Sequence, residues 1–340
     1  MRVSLLAHDA PAWASFLSEV DHDFYHLPAY VALSAVEEGG EPVALLVEDG
    51  GRAMLLPLIV RPIVGAGRDA VSPYGYPGPL RRGTDDPTFL HDALLAGSAM
   101  LATQGIVAVF VRFHPLIHPT PPDAVGTIVR HGDTVAIDLS GSDDTQWRET
   151  RSDHRSQISR AQRAGRVAAF DESWSHYGAF KDLYSATMTR VAAAPLYQFD
   201  DAYFDGLRVA LGDRIRLCVV EIDDVVAAAG LFVETCGIVQ FHLSCSDPRF
   251  NREAPSKLMI DYVRRWAKER GDKLFHLGGG LGAADDSLFR FKSGFSKRRY
   301  PFHTLRIVCD EPEYARLVRA HDPGADPARR DGFFPAYRKM

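Results

Sequence analysis

KLFHLGGGLGAADDSLFRFKSGFSKRRY (residues 273–300) concentrates more local chemistry than any other run of this chain. Residues 273–277 read as a buried strand, with Leu274, Phe275 and Leu277 as its apolar positions. Gly278, Gly279, Gly280 and Gly282 follow as a turn in which no Cβ holds a ligand away from the backbone N–H groups. An acidic-to-apolar segment (285–291) leads into a basic run from Lys292 to Arg299. A lysine placed soon after such a turn can meet an oxyanion or a phosphate. The run is no dinucleotide fingerprint, since Asp285 stands where the third glycine belongs and no βαβ unit follows. Nor is it a P-loop, because Lys292 is not part of a GxxxxGK[ST] pattern. A tight strand exit with no ligand is the bland alternative on turn chemistry alone.

The string HLGGGLGAADDSLFRFKSGFS resembles the carboxy-terminal pattern of FemABX-type and related acyltransferases, within the wider GNAT-like superfamily. Three further stretches agree with it and fall in order along the chain. They are TRSDHRSQISRAQRAGRVAAF (150–170), DFYHLPAYVALS from Asp23 and SPYGYPGPL from Ser72. The resemblance implies an α/β (α+β) fold of two tandem GNAT-like domains, with mixed, mostly antiparallel sheets flanked by helices. It also implies an acyl donor that is an aminoacyl-tRNA, and as acceptor an amine of a peptidoglycan precursor or of a small peptide-like natural product.

Outward from the opening stretch, the pattern divides the chain. Helices are expected over 10–20 and 27–38, the second with Pro28 in its first turn. Strands 42–48 and 53–60 flank Asp49-Gly50-Gly51, a hairpin signal. An irregular segment (72–80), a helix (87–104) and strands at 106–113 and 134–139 complete the first part. The polar linker SGSDDT (140–145) then offers N-cap residues, and the pattern restarts. A single basic helix is expected over 146–164, closed by Gly165, then a short strand (167–170) and helices at 177–189 and 201–211. A meander follows (214–222, 225–235, 238–244), then a helix (255–270), the glycine strand and a last strand (300–309). The expected domains are therefore 1–140 and 146–310, with a helix and tail over 311–340.

With 340 residues, 46% hydrophobic and 24% charged, the chain is long enough for two cores. A net charge of −5 argues against a general nucleic-acid binder, and no DNA partner is expected. No apolar run reaches the length of a membrane span, and MRVSLLAHDAPAW does not read as a secretory signal, so a cytoplasmic location is expected. Cys218, Cys236, Cys245 and Cys309 lack metal-type spacing and read as reduced thiols.

Lys292 is the expected catalytic residue. By resemblance it binds and polarises the acyl group, a fixed cation beside a developing oxyanion. Phe291 and Phe295 flank it and would hold its stem, with Gly279 and Gly280 supplying the turn. Arg148, Arg151 and Arg155 recur at helical spacing and would share one face toward a phosphate chain or a tRNA end, the alternative being a solvated basic face. Tyr74 and Tyr76 would line the acceptor groove, and by resemblance Tyr25 and His26 would face it as well. His22 with His26, and His114 with His118, have helical metal spacing, but Pro28, Pro115 and Pro119 argue against both pairs. No metal or other cofactor and no GxSxG nucleophile is expected. In acetyl-CoA enzymes of this superfamily a glycine-rich loop before the long helix cradles the pyrophosphate. Here the loop is DPRFNREAPSK (247–257), with no glycine and with Pro255 lacking an N–H. The alternatives to tRNA-dependent transfer are a CoA- or carrier-protein-dependent N-acyltransferase and an inactive GNAT-like binding protein.

Overall fold

In the computed structural model, which describes residues 1–117 and 125–339, the Gly50-Gly51 turn closes a hairpin with Asp49 opposite Arg52, Glu48 opposite Ala53 and Leu46 opposite Leu55. Gly50 takes a φ of 61° there, a conformation that costs glycine nothing. The strands in chain order are β1 (Arg2–Ala7), β2 (Glu41–Asp49), β3 (Arg52–Pro62), β4 (Arg68–Val71), β5 (Leu80–Arg82), β6 (Ile106–Arg112) and β7 (Thr127–Asp138). They continue as β8 (Ala168–Phe170), β9 (Ile215–Ile222), β10 (Val225–Thr235), β11 (Ile238–Ser246), β12 (Leu274–Gly278) and β13 (Arg299–Val308). The helices are α1 (Pro11–Leu17), α2 (Pro28–Glu38), α3 (Pro87–Thr103), α4 (Asp143–Glu149) and α5 (Ser152–Arg163). After these come α6 (Tyr177–Arg190), α7 (Asp201–Leu211), α8 (Pro255–Arg270), α9 (Ser287–Lys292) and α10 (Glu311–His321).

The chain divides into two compact units, one of Met1–Gly132 with Pro301–Met340 and one of Asp133–Tyr300. In the first unit the strands run β1-β2-β3-β4-β6-β13, with β5 also on β3. Its core joins Val43, Leu45, Leu56 and Leu58 of the hairpin to Phe89, Leu94 and Leu101 of α3. In the second the order is β8-β9-β10-β11-β12-β7, and Phe232, Val239 and Phe275 pack against Leu258, Ile260 and Val263 of α8.

Both units follow one plan. An antiparallel meander (β2-β3-β4 or β9-β10-β11) leads through a crossover helix (α3 or α8) to a strand parallel to the meander's last strand. That parallel strand is β6 on β4 in the first unit and β12 on β11 in the second. Each is flanked by an antiparallel partner, β13 on β6 and β7 on β12. The fold is mixed α/β with mostly antiparallel sheets.

Two differences from the sequence expectations matter. Residues 301–310 group with the first unit, because β13 bonds to β6 from Thr304↔Arg112 to Val308↔Ala108. Behind β13, α10 buries Tyr314 and Val318 against Val107 and Ala108. The basic helix expected over 146–164 is two helices, α4 and α5, broken at Thr150 and Arg151, which are extended (ψ 131° and 143°). Tertiary bonds hold the break open: the Arg151 amide donates to the Gly294 carbonyl at 2.8 Å. His118 and Pro119 lie outside the described residues. Among the described residues no helix is long and apolar enough to cross a membrane.

Candidate functional site

In the second unit the parallel pairing of β11 and β12 stops at Gln240↔His276, and beyond that point the two strands are not bonded to one another. Next to this opening β11 carries a bulge. Leu243 faces Leu231 and Phe241 faces Phe232, so His242 is the extra residue. Burial lowers the His242 imidazole to about 3, so it is neutral at ordinary pH.

The glycine turn leaves β12 at the same end. Gly280 is required by close approach, since a Cβ there would sit 2.1 Å from the Ala284 carbonyl oxygen and 2.5 Å from Asp286 Oδ1. Asp286 is the knot of the loop. Its Oδ2 accepts from the Leu281 amide at 2.9 Å, and its Oδ1 accepts from the Phe289 amide at 2.8 Å as the N-cap of α9. Turn and helix are thereby tied through one carboxylate, which its burial raises but these amides pull down overall.

Lys292 ends α9 with its stem half-buried, and its Nζ donates to the Gly279 carbonyl at 2.7 Å. The same ammonium stands 5.9 Å from the centre of the Phe241 ring. Desolvation lowers its pKa to about 8, with Asp286 acting in the opposite direction. Lys292, Gly279, Gly280 and Phe241 therefore meet at the opening between β11 and β12. Phe291 is half-buried and touches Phe295 edge to face at 5.4 Å, a packing that steadies the last turn of α9.

The fully buried His154 fixes α9 from below. Its Nε2 donates to the Phe291 carbonyl at 3.0 Å, and its ring meets Phe295 at 4.8 Å. A Cβ on Gly294 would fall 2.4 Å from that nitrogen, which explains glycine in FKSGF. Burial, then the charge of Lys257, keeps this imidazole below its usual range.

The three arginines expected on one face do not share one. Arg148 is exposed on α4 and bonds back to the Asp144 carbonyl at 3.1 Å. Arg151, at the N-cap of α5, pairs with Asp153 and reaches toward the Arg290 carbonyl at 3.4 Å. Arg155 turns inward and donates to the carbonyls of Thr150 (2.5 Å) and Arg148 (3.1 Å), closing the C-terminus of α4. The helix break removes the shared face, and Arg155 is spent on carbonyls that α4 leaves unpaired.

The loop before α8 folds as a 3-10 turn (Pro248–Glu253), and Ala254 takes a φ of 53°. Pro255 has no N–H, while the amides of Lys257 and Leu258 both donate to the Ala254 carbonyl. Lys257 Nζ is held by Gln157 at 3.0 Å, and Arg249 by Asp247.

In the first unit, Tyr25 and His26 do not face a groove. They are 4% and 0% exposed, and burial both raises the Tyr25 phenol and lowers the His26 imidazole. His26 Nε2 donates to the Gly78 carbonyl at 3.0 Å. Their place in the core follows from Asp23, which is buried, caps the 3-10 turn Phe24–His26 and pairs with His114 at 2.8 Å. Tyr74 and Tyr76 are half-buried, and Tyr76 meets the Phe302 ring at 5.3 Å. Among the described residues no cluster of His, Cys, Asp and Glu fit for a metal ion occurs.

Residues 148–293, which hold the bulge, the glycine turn and Lys292, match the acetyltransferase (GNAT) domain family. Over the whole chain the architecture is similar to the crystal structure of FemX, with a TM-score of 0.70 and 12% identity, covering 92% of this chain and 99% of that one. The fold is that of the FemABX and GNAT-like proteins. A conserved protein of unknown function from Bacteroides thetaiotaomicron is similar at a TM-score of 0.55 and 10% identity, covering 87% of this chain and 97% of that one. The C-terminal domain of a putative lysylphosphatidylglycerol synthetase from Agrobacterium fabrum follows at 0.52 and 15%, covering 86% and 90%. No match was found among curated proteins. Asp286, His154, Gly294 and His242 escaped the sequence reading. Only Asp286 left a local signal, an acidic residue directly before the helical run SLFRFK.

Proposed function

We propose that this acyltransferase moves an aminoacyl group from aminoacyl-tRNA to the amine of a small peptide-like acceptor, without a covalent enzyme intermediate. The observation that carries the reading is the Lys292 ammonium, held 2.7 Å from the Gly279 carbonyl at the open end of β11 and β12. The acceptor amine attacks the ester carbonyl of the donor. The C–O bond to the tRNA ribose breaks, and the ribose hydroxyl leaves with the proton that the amine gives up. Negative charge gathers on the carbonyl oxygen between these steps, and a fixed cation with nearby amides lowers that barrier. Gly279 and Gly280 allow the backbone to come close, and Phe291 keeps the lysine stem in place.

The donor half rests on the loop before α8. Pro255 and the Ala254-bonded amides leave little of the backbone cradle that a CoA pyrophosphate needs. Arg148 and Arg151, exposed along α4 and at the start of α5, remain the side chains for the terminal phosphates of a tRNA. Tyr74 and Tyr76 are the acceptor contacts in the first unit, which is the amino-terminal GNAT-like domain of this proposal. Calorimetry with CoA and acetyl-CoA, set beside acyl transfer from charged tRNA with and without ribonuclease, decides the donor. Transfer abolished by ribonuclease and no CoA binding below about millimolar Kd is expected. Tight CoA binding, or transfer that ignores ribonuclease, replaces the tRNA reading with CoA-dependent N-acyl transfer.

A further inference from the structure

Arg112, the last residue of β6, is a cation without an anion. Its Nη1 donates to the carbonyls of Ser72 (2.6 Å) and Pro73 (3.4 Å), and its guanidinium lies 5.0 Å from the Phe110 ring. No carboxylate among the described residues forms an ion pair with it. Glu38, the acidic group that acts most strongly on it, is engaged with Arg61 at 2.5 Å. A guanidinium carries five N–H donors, and among the described residues its Nε and Nη2 hold three with no hydrogen-bond acceptor. Burial lowers its pKa, and Glu38, acting from a distance and already bonded to Arg61, offsets only part of that cost.

The neighbours of Arg112 gather positive charge and ring surface on one face of the sheet. Thr304 of β13 is its direct cross-strand partner, so the two side chains point the same way. The Thr304 hydroxyl bonds His131 Nε2 at 2.8 Å, and His131 of β7 is exposed. Phe302, two residues before Thr304, shares that face; its ring meets His131 at 5.4 Å and Tyr76 at 5.3 Å. Burial, then the charges of Arg306, His303 and Arg112, lower the His131 imidazole, a direct sign of the positive field at this point. All these residues belong to the first unit.

We propose that Arg112, Thr304 and His131, bordered by Tyr76 and Phe302, form an oxyanion site that receives a carboxylate or phosphate of the acyl acceptor. Planar N–H donors of a guanidinium match either group in a two-point contact, and the bonded Thr304–His131 pair adds one donor, from the hydroxyl or from the ring according to the tautomer. The rings beside them fit a flat or apolar portion next to the anion. As an acceptor site this rests on the acyltransferase reading above, and it narrows the acceptor to an amine that also carries an oxyanion.

The test is a calorimetric titration of the full chain with benzoate, phenyl phosphate and the neutral benzamide. Saturable binding of benzoate or phenyl phosphate, and none of benzamide up to about 10 mM, is expected. Whichever anion binds names the group. Arg112→Gln is expected to weaken that anion about tenfold or more, and His131→Gln about threefold, while Arg112→Lys retains part of the affinity. Benzamide binding as well as the anions, neither anion binding, or anion affinity unchanged in Arg112→Gln overturns the proposal. Should Arg112→Gln fail to fold, unchanged affinity in His131→Gln overturns it instead. Lys292→Met keeps anion binding in every case. In the unsubstituted protein, absent acyl transfer with intact anion binding therefore counts against the acyltransferase reading and leaves this site standing.

Discussion

Lys292 is a lysine whose ammonium is short of water, and two outcomes follow at that single residue. Its pKa of about 8 lies below the ordinary 10.5, so it loses its charge over a range in which an exposed lysine keeps it. If the ammonium stabilises the transition state, kcat falls as pH rises through about 8, by roughly tenfold per unit well above it. A pH–rate profile under saturating donor checks this, and a rate flat to pH 10 removes the ammonium from the reaction. Lys292→Met is expected to lower kcat about 10²-fold, the size of losing one oxyanion-stabilising group. Its unfolding free energy should change by no more than about 1 kcal/mol, the worth of one hydrogen bond to Gly279. Wild-type turnover in that variant would show that the lysine does not act on the acyl group. Sequence reading reached this residue because a lysine after a glycine turn is a local pattern. It misread Tyr25 and His26, because their burial depends on Asp23 and on Gly78, far along the chain.

At the scale of elements, α9 has only six residues, too few to hold by its own backbone bonds. The Asp286 cap, the His154 bond to the Phe291 carbonyl and the ring contacts of Phe295 fix it instead. Asp286→Ala is expected to cost about 1 kcal/mol of stability through the lost cap. Because Asp286 raises the Lys292 pKa, the same change should also move the alkaline limb of the rate profile below about 8. Denaturant melts and the pH profile together read both effects, and an unmoved limb would confine Asp286 to a structural part. The break between α4 and α5 is the instructive miss. Residues 146–164 hold no proline or glycine, so their propensity favours one continuous helix. The Arg151–Gly294 backbone bond and the Arg155 contacts with the end of α4 overrule it. The hairpin at Gly50-Gly51 was legible for the opposite reason, since a two-residue turn is decided by the residues within it.

For the whole molecule, the carboxy-terminal segment belongs to the first unit and is fastened there by a buried charge. Asp69 is 0% exposed and receives Arg61 at 3.0 Å, Arg338 at 2.5 Å and the Tyr337 hydroxyl at 3.2 Å. Arg338→Ala leaves Asp69 with weaker satisfaction and is expected to cost about 1–3 kcal/mol in urea unfolding. An unchanged midpoint would mean that the segment is not docked in solution. The sequence by itself determined the element types, the meander–helix–strand order in the second half and the glycine turn with its lysine. Those follow from hydrophobic period and turn chemistry, which act over a few residues. Only the tertiary structure decided that residues 301–310 complete the first unit's sheet, that one basic helix is two, and that Arg112 stands opposite Thr304, which bonds His131. Each depends on hydrogen bonds between residues distant in sequence, and a strand's pattern shows which face it buries but not which strand it will pair with.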